Sequence, residues 1–233
     1  MGKLVKNRDR MSYIGGTDLA PICGASVFKT REQLKDEKLG RVFQKENASM
    51  RRGKAMERHV RKIYKAEYGL ETLGPKMLRH PTNDWLVANL DDHMDGLAIE
   101  YKTASAWSKN WKDGPPADYI FQVQHYMAML GVQKADLFVL FSTDNFKEAL
   151  AQIDAGVEDL LLDPSKYTTE LIKFEFDQGL VEMAYKEAQL FWDEIQKERE
   201  NANESNGDNG IRGDGEGPGA NGSGEEGQRQ FAL

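Results

Sequence analysis

The sequence predicts an α/β (α+β) domain over residues 1–200, with a central mixed β-sheet flanked by helices. Three observations carry that expectation. Helical spacing of apolar residues dominates the first 70 residues and then gives way to strand-like segments, an order that suits helices packed on a sheet. The run Leu137-Phe138-Val139-Leu140-Phe141 is apolar without alternation, as in a central strand covered on both faces. Asp95-Gly96 lies between two short apolar-containing segments and is a favoured two-residue hairpin turn.

Residues 1–13 are basic and show no clear period. Ile14-Gly15-Gly16-Thr17-Asp18-Leu19-Ala20 then reads as a helix start with Thr17 or Asp18 at the cap. Such an end is either an ordinary capped terminus or an anion seat. Thr30 with Gln33 forms a capping-box pattern for a second helix that Gly40 closes. A longer helix is expected from Asn47 to Tyr68, with Met56, Val60, Ile63 and Tyr64 as its buried stripe. Glu57 lies beside that stripe among Lys54, Arg58 and Arg61, where surface ion pairing is its ordinary explanation.

Strands are expected over Glu71–Arg79, Trp85–Asp91 and Leu97–Lys102. The following segment holds Trp107, Lys109, Trp111 and Lys112 before Gly114-Pro115-Pro116, and suits either a grip on a nucleic-acid strand or packing tryptophans. Ala117–Leu130 is helical with Gly131 beyond its end, and Gln122 and Tyr126 are neighbours on its surface. After the apolar strand Ala135–Thr143 comes a helical excursion over 144–168, a strand Glu170–Phe176 and a closing amphipathic helix Gln178–Glu198. From Asn201 the chain is Gly, Asn, Asp, Glu and Ser, which favours a disordered acidic tail over 201–233. Phe231-Ala232-Leu233 at its end could dock on a partner, and Arg212-Gly213-Asp214 is a chance tripeptide.

Charge is unevenly spread. The net charge is −7, yet residues 1–66 hold 17 Lys/Arg against 7 Asp/Glu. A basic amino-terminal half suits a polyanionic partner, although a solvated helical surface has the same composition. No apolar run approaches the roughly 20 residues of a membrane span, so no membrane partner is expected. The single cysteine, Cys23, cannot form an intramolecular disulfide, which fits a reducing cytoplasm.

Counting outward from the Asp95-Gly96 turn sets Met94 against Leu97, His93 against Ala98, Asp92 against Ile99 and Asp91 against Glu100. Opposed Cβ atoms lie about 4.5–5.5 Å apart, and like charges so placed repel. Lys102 shares the Glu100 face because side chains alternate along a strand. Two carboxylates and an ammonium thus converge, and a divalent cation is the simplest way to stabilise them. The pattern D-x8-E-x-K is by itself only moderately specific. His93, His125 and Cys23 have no zinc-like spacing.

Asp91…Glu100-Tyr101-Lys102 resembles the signature of PD-(D/E)XK nucleases. Arg52-Gly53-Lys54-Ala55-Met56-Glu57 looks like the upstream helix that supplies a further acid, and Gln122-Val123-Gln124-His125-Tyr126 resembles a Q-x-x-x-Y helix. Arg10-Met11-Ser12-Tyr13-Ile14-Gly15-Gly16-Thr17-Asp18 is similar to the opening of the YqaJ-like viral recombinase group, the lambda exonuclease-type branch of that family. The resemblance spans about residues 8–198 and implies a restriction-endonuclease-like core.

It further implies Glu57, Asp91 and Glu100 as acidic metal-site residues, with the Tyr101 carbonyl as a further ligand. Lys102 would be the catalytic lysine and Gln122 would position it or the nucleophile, with Tyr126 as helix support. Arg10, Gly15 and Thr17 would seat a DNA 5′-phosphate, with backbone donors at Gly15 where the family has a hydroxyl. Asp92 departs from the glycine common after the metal-binding aspartate, and the register favours Asp91.

The implied activity is a Mg²⁺-dependent (Mn²⁺ substituting) double-strand DNA 5′→3′ exonuclease of phage-type recombination in a bacterial host. It would act by two-metal phosphodiester hydrolysis and leave 3′ single strands for an annealing protein, with a homo-trimer as the implied assembly. A structure-specific endonuclease of the same fold and a non-catalytic DNA-end-binding module are the alternatives.

Overall fold

The computed structural model describes residues 10–43 and 47–208, with side chains to Glu204. Strand β1 (Ile14–Gly15) leads into helix α1 (Gly16–Ile22), α2 (Arg31–Lys38) and the long α3 (Ala48–Tyr68). Next come β2 (Lys76–Arg79), β3 (Leu86–Leu90), β4 (Asp92–Met94), β5 (Leu97–Ser105), α4 (Ala117–Leu130) and β6 (Lys134–Ser142). The described chain closes with α5 (Lys147–Asp154), β7 (Tyr167–Glu175) and α6 (Gln178–Asp208).

The mixed α/β class is as expected, but the strands form two sheets rather than one. One has the order β1-β3-β2 and the other β4-β5-β6-β7. Both are mixed: β1 and β5 run parallel to β3 and β6, and the remaining neighbours are antiparallel. β6 is central and covered on both sides. Leu137 and Val139 join Val123, Tyr126 and Met127 of α4, whereas Phe138 and Leu140 join Met56, Val60 and Tyr64 of α3. A third cluster ties β1 and α1 to α6 through Ile14, Leu19, Phe191 and Ile195.

Local chemistry accounts for the boundaries. Asn47 caps α3 by accepting from the Met50 N–H at 2.9 Å, and Gly69 ends it in the left-handed region. Thr30 and Gln33 form the expected capping box of α2. Helix α1 differs from expectation: Gly15 is its N-cap, and Asp18 lies inside the first turn and accepts from the Gly15 N–H at 2.9 Å. The strand expected over Glu71–Arg79 shortens to β2 because Gly74 takes a positive φ of 89° and Pro75 has no N–H to donate.

Helix α6 runs past the expected start of the tail at Asn201 to Asp208. It is held to α2 and the turn after it by Glu194 and Glu198, which pair with Arg31, Lys35 and Arg41, and each further helical residue then adds a hydrogen bond at little cost. Residues 209–233, including Phe231-Ala232-Leu233, lie outside the described residues. No described helix is long and apolar enough to cross a membrane.

Candidate active site

Strand β5 places Glu100 and Lys102 on the face toward α4, and Ile99 and Tyr101 on the face toward α3. The β4–β5 ladder pairs Asp92 with Ile99, His93 with Ala98 and Met94 with Leu97, the register counted from the turn. The expected continuous arm before the turn is nevertheless two strands. β3 belongs to one sheet and β4 to the other, and Asp91 sits between them.

The two neighbouring aspartates have opposite environments. Asp92 is fully buried on the α3 side, where it accepts from Thr72 Oγ1 (2.7 Å), the Gly74 N–H (2.7 Å) and the Tyr101 hydroxyl (3.0 Å). Its Oδ2 also lies 3.0 Å from Arg61 Nε. Asp91 is partly exposed, lines a cleft of about 1010 Å³ and accepts from the Tyr101 N–H at 3.0 Å. The same cleft is lined by Glu57, Lys102 and Gln122.

Glu100 lies beneath the cleft, only 1% exposed, with its Oε1 bonded to Lys102 Nζ and its Oε2 without a partner. Burial first and the Asp91 charge second push its carboxyl up to about 8, against the pull of Lys102. The Glu57 carboxyl is raised for the same two reasons in the same order. Burial works against the Lys102 ammonium, but Glu100 and Asp91 outweigh it and raise its pKa.

Among the described residues no three His, Cys, Asp or Glu side chains are gathered closely enough to hold an ion as they stand. The donors nonetheless suit a hard cation. They are oxygens, they repel one another, and one buried carboxylate oxygen is unsatisfied. Mg²⁺ asks for one or two carboxylates and keeps its other positions for water.

Helix α4 supplies the opposite wall. Gln122 Nε2 donates to the Tyr126 hydroxyl at 2.6 Å, and that hydroxyl donates to the Asn89 carbonyl at 2.5 Å, just before the seam at Asp91. Gln122 Oε1 is buried and without a partner. Tyr126 is buried behind Gln122 and does not line the cleft. Gly16 lets α1 approach this wall, since a Cβ there would meet Gln122, His125 and Tyr126 at 3.2–3.3 Å.

Arg10 and Thr17 both line the cleft, and Arg10 Nη2 lies 3.4 Å from Thr17 Oγ1 and 3.6 Å from Asp18 Oδ1. Gly15 does not fill its expected part. Its N–H is spent on Asp18, and it does not reach the cleft wall. The aromatic loop divides between its two alternatives. Trp111 stacks on Tyr119 and meets Phe141 edge-on, whereas Trp107 is 77% exposed at the cleft.

Several site residues escaped the sequence reading. Lys38 is buried and bonds Asp18 Oδ2 (2.8 Å) together with the carbonyls of Arg10 and Tyr13. Tyr119 places its ring 5.0 Å from Lys102 Nζ. Its position three before Gln122 puts both on one helical face, a signal that was there to be used. Arg52, five residues before Glu57 on α3, also lines the cleft, a position its place in the motif did not reveal.

The family model for the YqaJ-like viral recombinase domain matches residues 7–133, more than half of the chain. The chain belongs to this family. The uncharacterized protein YqaJ of Bacillus subtilis (strain 168) is 35% identical over 147 residues, covering 59% of this chain and 46% of that protein. The chain thus spans about half the length of this curated relative.

Among solved structures, the alkaline exonuclease LHK-Exo of Laribacter hongkongensis superposes with a TM-score of 0.66 at 24% identity, covering 86% of this chain and 96% of that one. Its complex with dAMP gives 0.64 at 23% identity over the same shares. A phage related exonuclease from Haemophilus somnus 129PT gives 0.52 at 17% identity, covering 80% of this chain and 96% of that one. These likenesses establish a restriction-endonuclease-like, alkaline exonuclease fold.

Proposed function

We propose that this YqaJ-family domain is a divalent-metal-dependent exonuclease that degrades one strand of duplex DNA 5′→3′. The observation that carries the reading is the convergence of Asp91, Glu57 and Lys102 on one cleft above the buried Glu100, with Gln122 in the facing wall. Asp91 and Glu100, with Glu57 and the Tyr101 carbonyl, would hold Mg²⁺ or Mn²⁺. When bound, one or two such ions polarise the phosphate, lower the pKa of a water and stabilise the leaving oxygen.

The chain's own residues do the rest. Lys102, held charged by Glu100 and Asp91, brings a positive charge to the accumulating negative charge of the reacting phosphate and orients the attacking water. Gln122 Oε1, lacking a partner, is an acceptor for that water or for the lysine ammonium. The ring of Tyr119 faces the ammonium and helps hold it over the cleft. Water adds to phosphorus, the P–O3′ bond breaks, and the departing oxygen takes a proton. Arg10 and Thr17 form a polar seat for a 5′-phosphate, with the Arg10 guanidinium as its charge. The 3′ strand left behind would serve an annealing protein. The trimeric assembly implied by the sequence resemblance and the cytoplasmic location drawn from the single cysteine belong to the same proposal.

The test is digestion of linear duplex with 5′-phosphate or 5′-hydroxyl ends by wild type and Lys102→Ala. The expected result is metal-dependent shortening from 5′-phosphorylated ends that Lys102→Ala abolishes. Equal cutting of closed circles would make the protein an endonuclease. Binding of DNA ends without cutting in either metal would make it an end-binding module.

A further inference from the structure

Arg52 differs in one respect from the other cations of the cleft. Lys102 is paired with Glu100, Arg10 lies beside Asp18, and Lys29 bonds Glu37. Arg52 has no carboxylate at ion-pair distance among the described residues, and its Nε is buried without a hydrogen-bond partner. Its guanidinium carbon lies 5.1 Å from the ring centroid of Phe146. Burial lowers its pKa without removing the charge, since guanidinium does not deprotonate in proteins.

The Phe146 ring is a prepared seat. Phe146 is fully buried, although its φ of 61° is a left-handed conformation that L side chains seldom adopt. Its N–H donates to Asp144 Oδ1 (2.8 Å) and Ser142 Oγ (3.1 Å), and Ser142 donates to Asp144 at 2.6 Å. Backbone strain of this kind persists where surrounding bonds over-determine it. Here they fix an aromatic face under a cation whose outer edge opens on the cleft. A planar fork of donors with unspent charge matches the non-bridging oxygens of a phosphate.

We propose that Arg52, seated on the ring of Phe146, binds an internal phosphodiester of the DNA strand lying in the cleft, apart from the 5′-terminal phosphate at Arg10 and Thr17. The inference rests on the nuclease reading for its ligand, but it concerns binding and is tested without turnover.

Equilibrium binding of a blunt duplex oligonucleotide is measured in chelator over a salt series, with 5′-hydroxyl and with 5′-phosphate ends. Arg52→Met keeps an apolar stem on the ring and removes the charge. It should weaken binding about tenfold on both duplexes and lower the slope of log affinity against log salt by about one contact. Arg52→Lys keeps the charge and the slope but loses the fork, so its affinity should fall severalfold; it serves if the methionine variant fails to fold. An unchanged slope in Arg52→Met, or a lysine variant that binds like wild type, overturns the proposal. A loss confined to 5′-phosphorylated duplex overturns the assignment to an internal phosphodiester. Wild type that binds through Arg52 but never cuts keeps this inference and discards the nuclease. Wild type that cuts with a slope indifferent to Arg52 does the reverse, and failure to bind DNA at all removes both.

Discussion

The Tyr101 hydroxyl donates to Asp92 at 3.0 Å, which helps commit that aspartate to the interior. The backbone N–H of the same tyrosine donates to Asp91 at 3.0 Å and leaves that carboxylate at the cleft. Substituting the two aspartates should therefore have different consequences. Asp91→Asn should retain the fold and lower nuclease activity at least about a hundredfold, more than loss of a group outside the ligand set usually costs. Asp92→Ala should cost about 3 kcal/mol of stability, because it strips four hydrogen-bond donors and the Arg61 ion pair of their acceptor. Urea melts beside activity assays decide the matter. A stable, inactive Asp92 variant with an active Asp91→Asn would reverse the assignment.

The mutual repulsion of Glu57, Asp91 and Glu100 should make the protein firmer when a cation is present. At a hundredfold excess over the dissociation constant, Mg²⁺ or Mn²⁺ should add about 2.7 kcal/mol. For a chain of this size that raises the melting temperature by about 5–10 °C. Thermal melts in chelator and in each metal measure it, with Asp91→Asn expected to lose most of the gain. Superimposable melts in chelator and in both metals would remove the metal from this site.

His125 is completely buried, and its Nε2 lies 3.1 Å from the Val87 carbonyl. A carbonyl only accepts, so Nε2 carries the hydrogen and Nδ1 accepts from the Tyr185 hydroxyl at 2.9 Å. Burial depresses the imidazole pKa from 6.5 to about 4, despite the carbonyl's favour for the charged form. The unfolded chain then binds more protons than the folded one between those values. Stability from this group is present above about pH 6.5 and is lost as pH falls toward 4, by about 3 kcal/mol in total. Unfolding free energies at pH 7, 5.5 and 4.5 for wild type and His125→Gln should converge by about 2 kcal/mol over that range as pH falls. Parallel curves would show that His125 does not titrate in this way.

Much of this molecule is legible where a local rule sets the structure. Asn47 and Gly69 bound α3, Gly131 ends α4, and the Asp95-Gly96 turn sets the register that separates Asp91 from Asp92. What stayed hidden depends on partners distant in sequence. Lys38 looks like any surface lysine of a polar helix until Asp18 and two carbonyls enclose it. Trp107 and Trp111 share one loop, yet only the second meets Tyr119 and Phe141, rings that the sequence places on other elements. The division of the strands into two sheets was hidden for a similar reason. Val87 to Met94 reads as one extended arm, and only pairing with β1 and β2 on one side and β5 on the other divides it.

The enclosure around Asp92 also guards against misalignment. Two adjacent aspartates invite a slip of β4 by one residue, which would send every side chain to the other face. Slipped one way, Asp92 reaches the cleft, but His93 must then take its place against Arg61, Thr72 and Gly74. Slipped the other way, Asp91 fills the enclosure and Leu90 faces the cleft, which loses the carboxylate beside Glu57 and Glu100. Thr72, Gly74, Tyr101 and Arg61 thus act as a proofreader of strand alignment, disfavouring both errors before the cleft is assembled.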